Sequence, residues 1–162
     1  MALADKGLTL GTLAPAWQLA GLDDKLVSLD QFQGQPVLLI FLRGTWCPNC
    51  RKQMETVRNE WSRVAPLARV IAIVSQAGPE VSDYLSRNPM PFPLLPDPNR
   101  DVIKLYGVYQ RLGLDGFRVA YPTTMIIDQG GIVRYSYVGG SQFDRPDFNQ
   151  VLVELEKLKT RI

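Results

Sequence analysis

The sequence predicts an α/β sandwich, a central sheet with helices on both faces, and three observations predict it. Pro36–Leu42, Arg69–Ser75 and Tyr121–Asp128 are short runs rich in β-branched and aliphatic residues, as expected of strands buried on both faces. The first two are each followed by a charged stretch with apolar residues at helical spacing, and a last amphipathic stretch closes the chain. Alternation of buried strands and one-faced helices has few packing solutions, and a layered sheet is the commonest.

Taken in order, Val27–Phe32 reads as a short strand and turn leading into Pro36–Leu42, which Gly34 and Gly44 bound. An amphipathic helix follows over Arg51–Arg63, with Met54, Val57 and Trp61 on one side and Pro66 as a stop. After the strand Arg69–Ser75 comes Ala77-Gly-Pro79 and a helix over Glu80–Arg87, with Val81, Tyr84 and Leu85 facing inward. Asn88–Pro98 is so rich in proline that it supports at most a short edge strand, because proline lacks a ladder donor. Asp97 and Asn99 are suitable caps for a helix from about Arg100 to Tyr106, with Gly107 as its end. Gln129-Gly-Gly131 is a tight turn joining Tyr121–Asp128 to Ile132–Val138 as a hairpin. Phe148, Val151, Leu152, Leu155 and Leu158 share one face of the closing helix. No linker composition interrupts the chain, so 1–162 is expected to be a single domain.

Composition excludes several kinds of chemistry. The 162 residues carry 18 basic and 16 acidic side chains, a net charge of +2, which provides no broad field for nucleic acid or an anionic membrane. The apolar segment Leu67–Val74 is too short to cross a bilayer. Met1–Thr9 carries Asp5 and Lys6 and lacks the apolar run of a secretory signal, so a cytoplasmic protein is expected. There is no histidine. Catalysis by Ser–His–Asp or Cys–His pairs is therefore excluded, as are His-ligated metals, and two cysteines alone do not complete a tetrahedral zinc site. No cofactor and no metal is expected.

What remains is the pair in Trp46-Cys-Pro-Asn-Cys50, which follows a buried strand and opens a helix. At a helix start, unpaired N–H groups and the macrodipole favour a thiolate, the nucleophilic form of cysteine. A second thiol one turn on is placed to attack the resulting mixed disulfide and close an intramolecular one. Pro48 costs no hydrogen bond in the first turn. Arg43 and Arg51 are candidate sources of positive potential, and Trp46 is expected at the rim of the site, as packing or as a substrate contact.

Phe41–Cys50 resembles the active-site segment of thioredoxin-like proteins, and Tyr121-Pro122-Thr123 resembles their second landmark, a proline entered by a cis peptide and lying against the cysteines. That resemblance implies a mixed central sheet, substrate contacts at Trp46, Arg43, Tyr121 and Pro122, and an N-terminal cysteine more exposed than the second. Gly11–Trp17, Phe92–Pro98 with Leu105–Val108, and Thr124–Ile132 resemble, in order and spacing, the alkyl hydroperoxide reductase/thiol-specific antioxidant family. The chain departs from peroxiredoxins at the site itself. Their pattern P-x-x-x-[ST]-x-x-C, with its cysteine set on Cys50, puts Arg43 at the proline and Cys47 at the threonine or serine. Their peroxide-orienting arginine falls on Pro122, leaving Arg43 or Arg118 as substitutes.

The expected function is thus thiol–disulfide exchange, with Cys47 as nucleophile and Cys50 as resolving thiol. The alternative is a peroxidase in which Cys50 or Cys47 attacks hydroperoxide and a thioredoxin-type donor returns the electrons. A thioredoxin-fold binding module that only retains the motif is the third reading. Expected partners are a thiol or disulfide protein substrate, or a hydroperoxide.

Overall fold

The computed structural model describes residues 2–113 and 116–159. Two short strands, β1 (Gln18–Ala20) and β2 (Leu26–Ser28), pair antiparallel at the edge of the molecule, and a 3₁₀ turn over Leu29–Phe32 leads into β3 (Val37–Leu42). Next come α1 (Pro48–Asn59), α2 (Trp61–Val64), β4 (Arg69–Val74), α3 (Gly78–Arg87), β5 (Leu94–Pro96) and α4 (Asp101–Leu105). A ribbon of β6 (Tyr109–Gly113) and β7 (Gly116–Ala120) precedes β8 (Thr123–Ile127), β9 (Val133–Val138) and α5 (Phe148–Lys159).

The main sheet runs β5-β4-β3-β8-β9 and is mixed: β3, β4 and β5 are parallel, whereas β8 is antiparallel to β3 and β9 to β8. Every residue of β3 is buried because both faces are covered. Leu38, Ile40 and Leu42 face one core with Met54 and Val57 of α1, Tyr84 of α3 and Val151 and Leu155 of α5. Leu39 and Phe41 face the other, with Val102 and Ile103 of α4, Tyr106, Trp17 and Phe32. The expected sandwich is therefore present, and α1 leaves the C-terminal end of its central strand. Among the described residues, no helix is long and apolar enough to cross a membrane.

Three local readings needed correction. The helix expected over Arg51–Arg63 begins at Pro48 and breaks at Glu60, whose backbone leaves the helical region at φ −97°, ψ 16°. The break redirects Trp61 onto Phe92, with ring centroids 6.0 Å apart. The β6–β7 ribbon has no counterpart in the sequence reading, since its strands lie outside the main sheet and lack a continuous apolar run. The third concerns α4, which starts one residue late because Arg100 takes a left-handed conformation, φ 61°. Pro96 does sit on an edge strand, where its missing donor faces no neighbour.

Asp97 caps α4 from outside it. Its carboxylate accepts the N–H groups of Asp101 at 3.1 Å and of Val102 and Ile103 at 3.0 Å. Burial pushes this carboxyl above its ordinary range, while those three donors pull it back. Asp97→Ala is expected to cost about 2 kcal/mol by orphaning donors at a buried helix start. Urea unfolding tests this, and an unchanged midpoint with an unchanged slope would refute it.

Candidate active site

β3 ends at Leu42, and the chain needs only Arg43–Trp46 to reach the first residue of the cysteine pair. Gly44 makes this turn feasible: the Trp46 indole folds back onto it, and a Cβ there would overlap the ring. Arg43 is buried at the strand end, its guanidinium carbon 5.4 Å from the centre of the Trp46 ring. Arg51 is turned away from the sulfurs. Its Nε donates to the Thr45 carbonyl, and its guanidinium lies 5.5 Å from the centre of the Tyr84 ring. The Thr45 N–H donates to Gln76 Oε1 at 2.7 Å, so the loop is held from both sides.

Cys47 is the N-cap of α1, and the Cys50 N–H donates to its Sγ at 3.4 Å. Pro48 occupies the first helical turn. The thiol of Cys50 also donates to Cys47 Sγ, and this contact is the largest influence drawing the Cys47 thiol down from 9.0 to about 5. Burial opposes the shift, while the Cys50 N–H and the charge of Arg145 support it. Cys50 moves well upward, because it holds the proton that Cys47 gives up and because it is buried.

Arg145 was not anticipated. Its Nη2 donates to Cys50 Sγ at 3.3 Å and to Cys47 Sγ at 3.9 Å. Nε donates to the Gln142 carbonyl at 2.9 Å, and Nη1 donates to Gln53 Oε1. The amide nitrogen of Gln53 in turn donates to Thr124 Oγ1 at 3.0 Å. Arg145 lies 95 residues beyond Cys50, in the segment before α5, and no local motif marks it. That segment is also tied down by Asn49, whose Nδ2 donates to Gln142 Oε1 at 3.3 Å.

Two expectations about the pair's surroundings are corrected. The Tyr121–Pro122 peptide is trans, as no cis peptide occurs among the described residues. The entry into β8 is instead held extended, by Tyr121 N–H to the Val108 carbonyl and Gly139 N–H to the Pro122 carbonyl, both at 2.8 Å. Tyr121 packs with the core on the sheet face opposite the cysteines. Nor is Cys47 open to solvent. Both cysteines are sealed from it, with the segment carrying Gln142 and Arg145 bonded across them, although Cys50 is the deeper of the two, as expected. Trp46 is half-exposed and packs against Arg43 and Gly44. Arg118 sits exposed on the β6–β7 ribbon, where its carbonyl accepts from Arg100, and makes no contact with the sulfurs.

Beside the pair a groove of about 370 Å³ opens between α1 and α5, floored by Leu38 and Ile40 and edged by Asn49, Arg145 and Phe148. Among the described residues, no cluster of three or more His, Cys, Asp or Glu side chains is placed to hold a metal ion.

The AhpC/TSA family model matches residues 10–136. The chain belongs to the AhpC/TSA family. It is 32% identical over 130 residues to peroxiredoxin Q, chloroplastic, of Triticum aestivum, covering 78% of this chain and 58% of that one. It is 27% identical over 131 residues to thiol-disulfide oxidoreductase ResA of Bacillus thuringiensis subsp. konkukian, covering 80% and 69%. The crystal structure of peroxidoxin BcpB from Mycobacterium tuberculosis superposes with a TM-score of 0.82 at 20% identity, covering 93% of this chain and 98% of that one, which establishes the thioredoxin-like fold. As an AhpC/TSA protein the chain is a thiol-dependent oxidoreductase.

Alkylation of the reduced protein by iodoacetamide should follow the thiolate of Cys47. Its rate should rise through an inflection near pH 5 and be nearly flat from pH 7 to 9. Because the folded value lies below the unfolded one, this contact stabilises the fold above the unfolded thiol range, and the gain is lost as pH falls through about 5. An inflection near the ordinary thiol value would refute the arrangement.

Proposed function

We propose that this family member exchanges thiols with disulfides, with Cys47 attacking first and Cys50 resolving. The observation that carries the reading is the division of labour within the pair. Cys47 Sγ gathers the Cys50 N–H, the Cys50 thiol and Arg145, whereas Cys50 keeps its proton. The Cys47 thiolate attacks a substrate disulfide, forms a mixed disulfide and expels one thiolate. Cys50 then attacks Cys47 Sγ, closing the intramolecular disulfide and expelling the second.

Trp46 at the rim and Arg43 behind it form the wall a substrate meets, and the groove between α1 and α5 accepts its apolar part. Substrate access requires the segment carrying Gln142 and Arg145 to shift. The trans Tyr121–Pro122 peptide and the packing of Tyr121 against the far core lend no support to the substrate edge expected there.

A second reading has a specific observation in its favour. Arg145 supplies, from another part of the chain, a cation beside the sulfurs of the kind a peroxidase needs. Cys47 would then take one oxygen from a hydroperoxide, releasing an alcohol or water, and Cys50 would displace water from the sulfenic acid. A thioredoxin-type dithiol would reduce the disulfide in either case. Such a cycle belongs in a reducing compartment, and we place the protein in the cytoplasm.

Single mutants decide the order of attack. Cys50→Ser should trap a stable mixed disulfide at Cys47, and Cys47→Ser should be inert toward disulfides and low peroxide, read by mass spectrometry. A dimedone adduct on Cys50 in Cys47→Ser, formed at low peroxide, would reverse the order. Stopped-flow peroxide consumption beside insulin reduction separates the two oxidants. Fast peroxide turnover with no insulin reduction would make the protein a peroxidase.

A further inference from the structure

The reduced pair leaves one problem unsolved. Resolution needs Cys50 to act as a thiolate, yet it is fully buried and holds its proton. The chain has no histidine to remove that proton. The ionisable groups facing Cys50 are Cys47 on its own turn, Tyr84 from α3 and Arg145 from the segment before α5. Tyr84 is itself buried and pushed above its ordinary range, which makes it a poor base. Arg145 is the one that favours a charged sulfur.

The geometry favours Cys50 over Cys47. Arg145 Nη2 is 3.3 Å from Cys50 Sγ and 3.9 Å from Cys47 Sγ, although Cys47 carries the charge in the reduced protein. The guanidinium is not free to choose its place. Nε is held by the Gln142 carbonyl and Nη1 by Gln53, which is braced on Thr124 of β8. A fork fixed at two corners presents its third corner at a set point. That point lies between the two sulfurs, nearer the second.

We propose that Arg145 is a catalytic residue of the resolving step, receiving the negative charge on Cys50 once Cys47 has been consumed, and that Gln53 positions it. When Cys47 enters a mixed disulfide or a sulfenic acid, it stops accepting the Cys50 proton as a thiolate. The strongest influence holding that proton on Cys50 then disappears. Burial still opposes ionisation, and Arg145 at hydrogen-bond distance offsets it. Cys50 Sγ attacks Cys47 Sγ as the bond from Cys47 to the leaving group breaks. The Cys50 proton passes to the departing thiolate, giving a thiol, or to the departing hydroxide, giving water. The sulfurs become a disulfide, and the two electrons leave with the substrate.

This inference rests on the proposed order of attack, and 5,5′-dithiobis(2-nitrobenzoate) tests the two separately. Each aromatic thiolate released absorbs at 412 nm, so in stopped flow the first release reports Cys47 attack and the second reports resolution. Arg145→Met should slow the second phase by on the order of 10- to 100-fold, move its pH midpoint upward, and slow the first phase much less. Gln53→Leu should shift the second-phase pH profile in the same direction by a smaller amount, and Gln53→Glu should restore most of the rate by keeping an acceptor for Nη1. Circular dichroism melts check the fold of each protein, and the Gln53 pair carries the test if Arg145→Met does not fold. A second phase unchanged in rate and pH midpoint, or both phases slowed equally, would overturn the proposal. The Cys50→Ser protein should release one equivalent; no release from it would refute the order of attack rather than the role of Arg145.

Discussion

Val37–Leu42 has no face turned to water, and the position of the active site follows from that burial. Covered on both faces, it occupies the centre of the main sheet, where β4 and β8 flank it in fixed register, Leu42 beside Val74 and Phe41 beside Thr123. Its C-terminal end is where the chain turns into α1. The cysteine pair therefore opens a helix whose Met54 and Val57 are pinned onto the sheet by the same core. Slippage of β3 by one residue would turn Leu38, Ile40 and Leu42 to the opposite face and carry the thiols with them.

The chemistry of the pair comes from its two sulfurs being unlike. Both are closed off from solvent, and Cys50 lies the deeper. Position within one helical turn separates them further: Cys47 is a cap that accepts from the turn, and Cys50 is a member of the turn that donates back. The free N–H groups of a helix start exist whatever the sequence beyond it. That explains why a cap position is a natural place for a thiolate, while its contact with Cys47 and its burial keep the proton on Cys50.

Arg145 adds a charge that the helix start does not provide, and it arrives through a loop with its own constraints. Gly139 allows the backbone at Asp144 to approach closely, where a Cβ would collide with the Asp144 carbonyl. Asp144 accepts the Tyr137 hydroxyl at 2.6 Å and the Gly140 N–H at 2.8 Å, which shapes the turn out of β9. The guanidinium is then braced by Gln53 on α1 and, through it, by Thr124 on β8. Three elements thus converge on one side chain. Membership of the AhpC/TSA family accounts for the fold, and the contacts of Arg145 with both sulfurs define the charge beside them.

Much of this was legible in the sequence because its causes are local. Val37–Leu42, Arg69–Val74 and Thr123–Ile127 declare themselves as buried strands by composition, and Phe148–Leu158 declares a one-faced helix by its period. The cysteines at the strand–helix junction are a local feature too, since three residues of separation place both in one turn. The β6–β7 ribbon was not legible, because its pairing is specified by contacts between strands with no strong apolar pattern. The trans Tyr121–Pro122 peptide was not either, because the isomer depends on what the flanking carbonyls and N–H groups meet across the sheet. The full burial of Cys47 and the placement of Arg145 belong to the same class. They join residues nearly a hundred positions apart, and only the packing of α5 and β9 around α1 sets which side chains those are. By itself the sequence determined the central strands of the main sheet, the helices that cover it and the placement of two thiols in one helical turn. The tertiary structure decided which cation they meet, because charge acts through space and its neighbours are chosen by the fold.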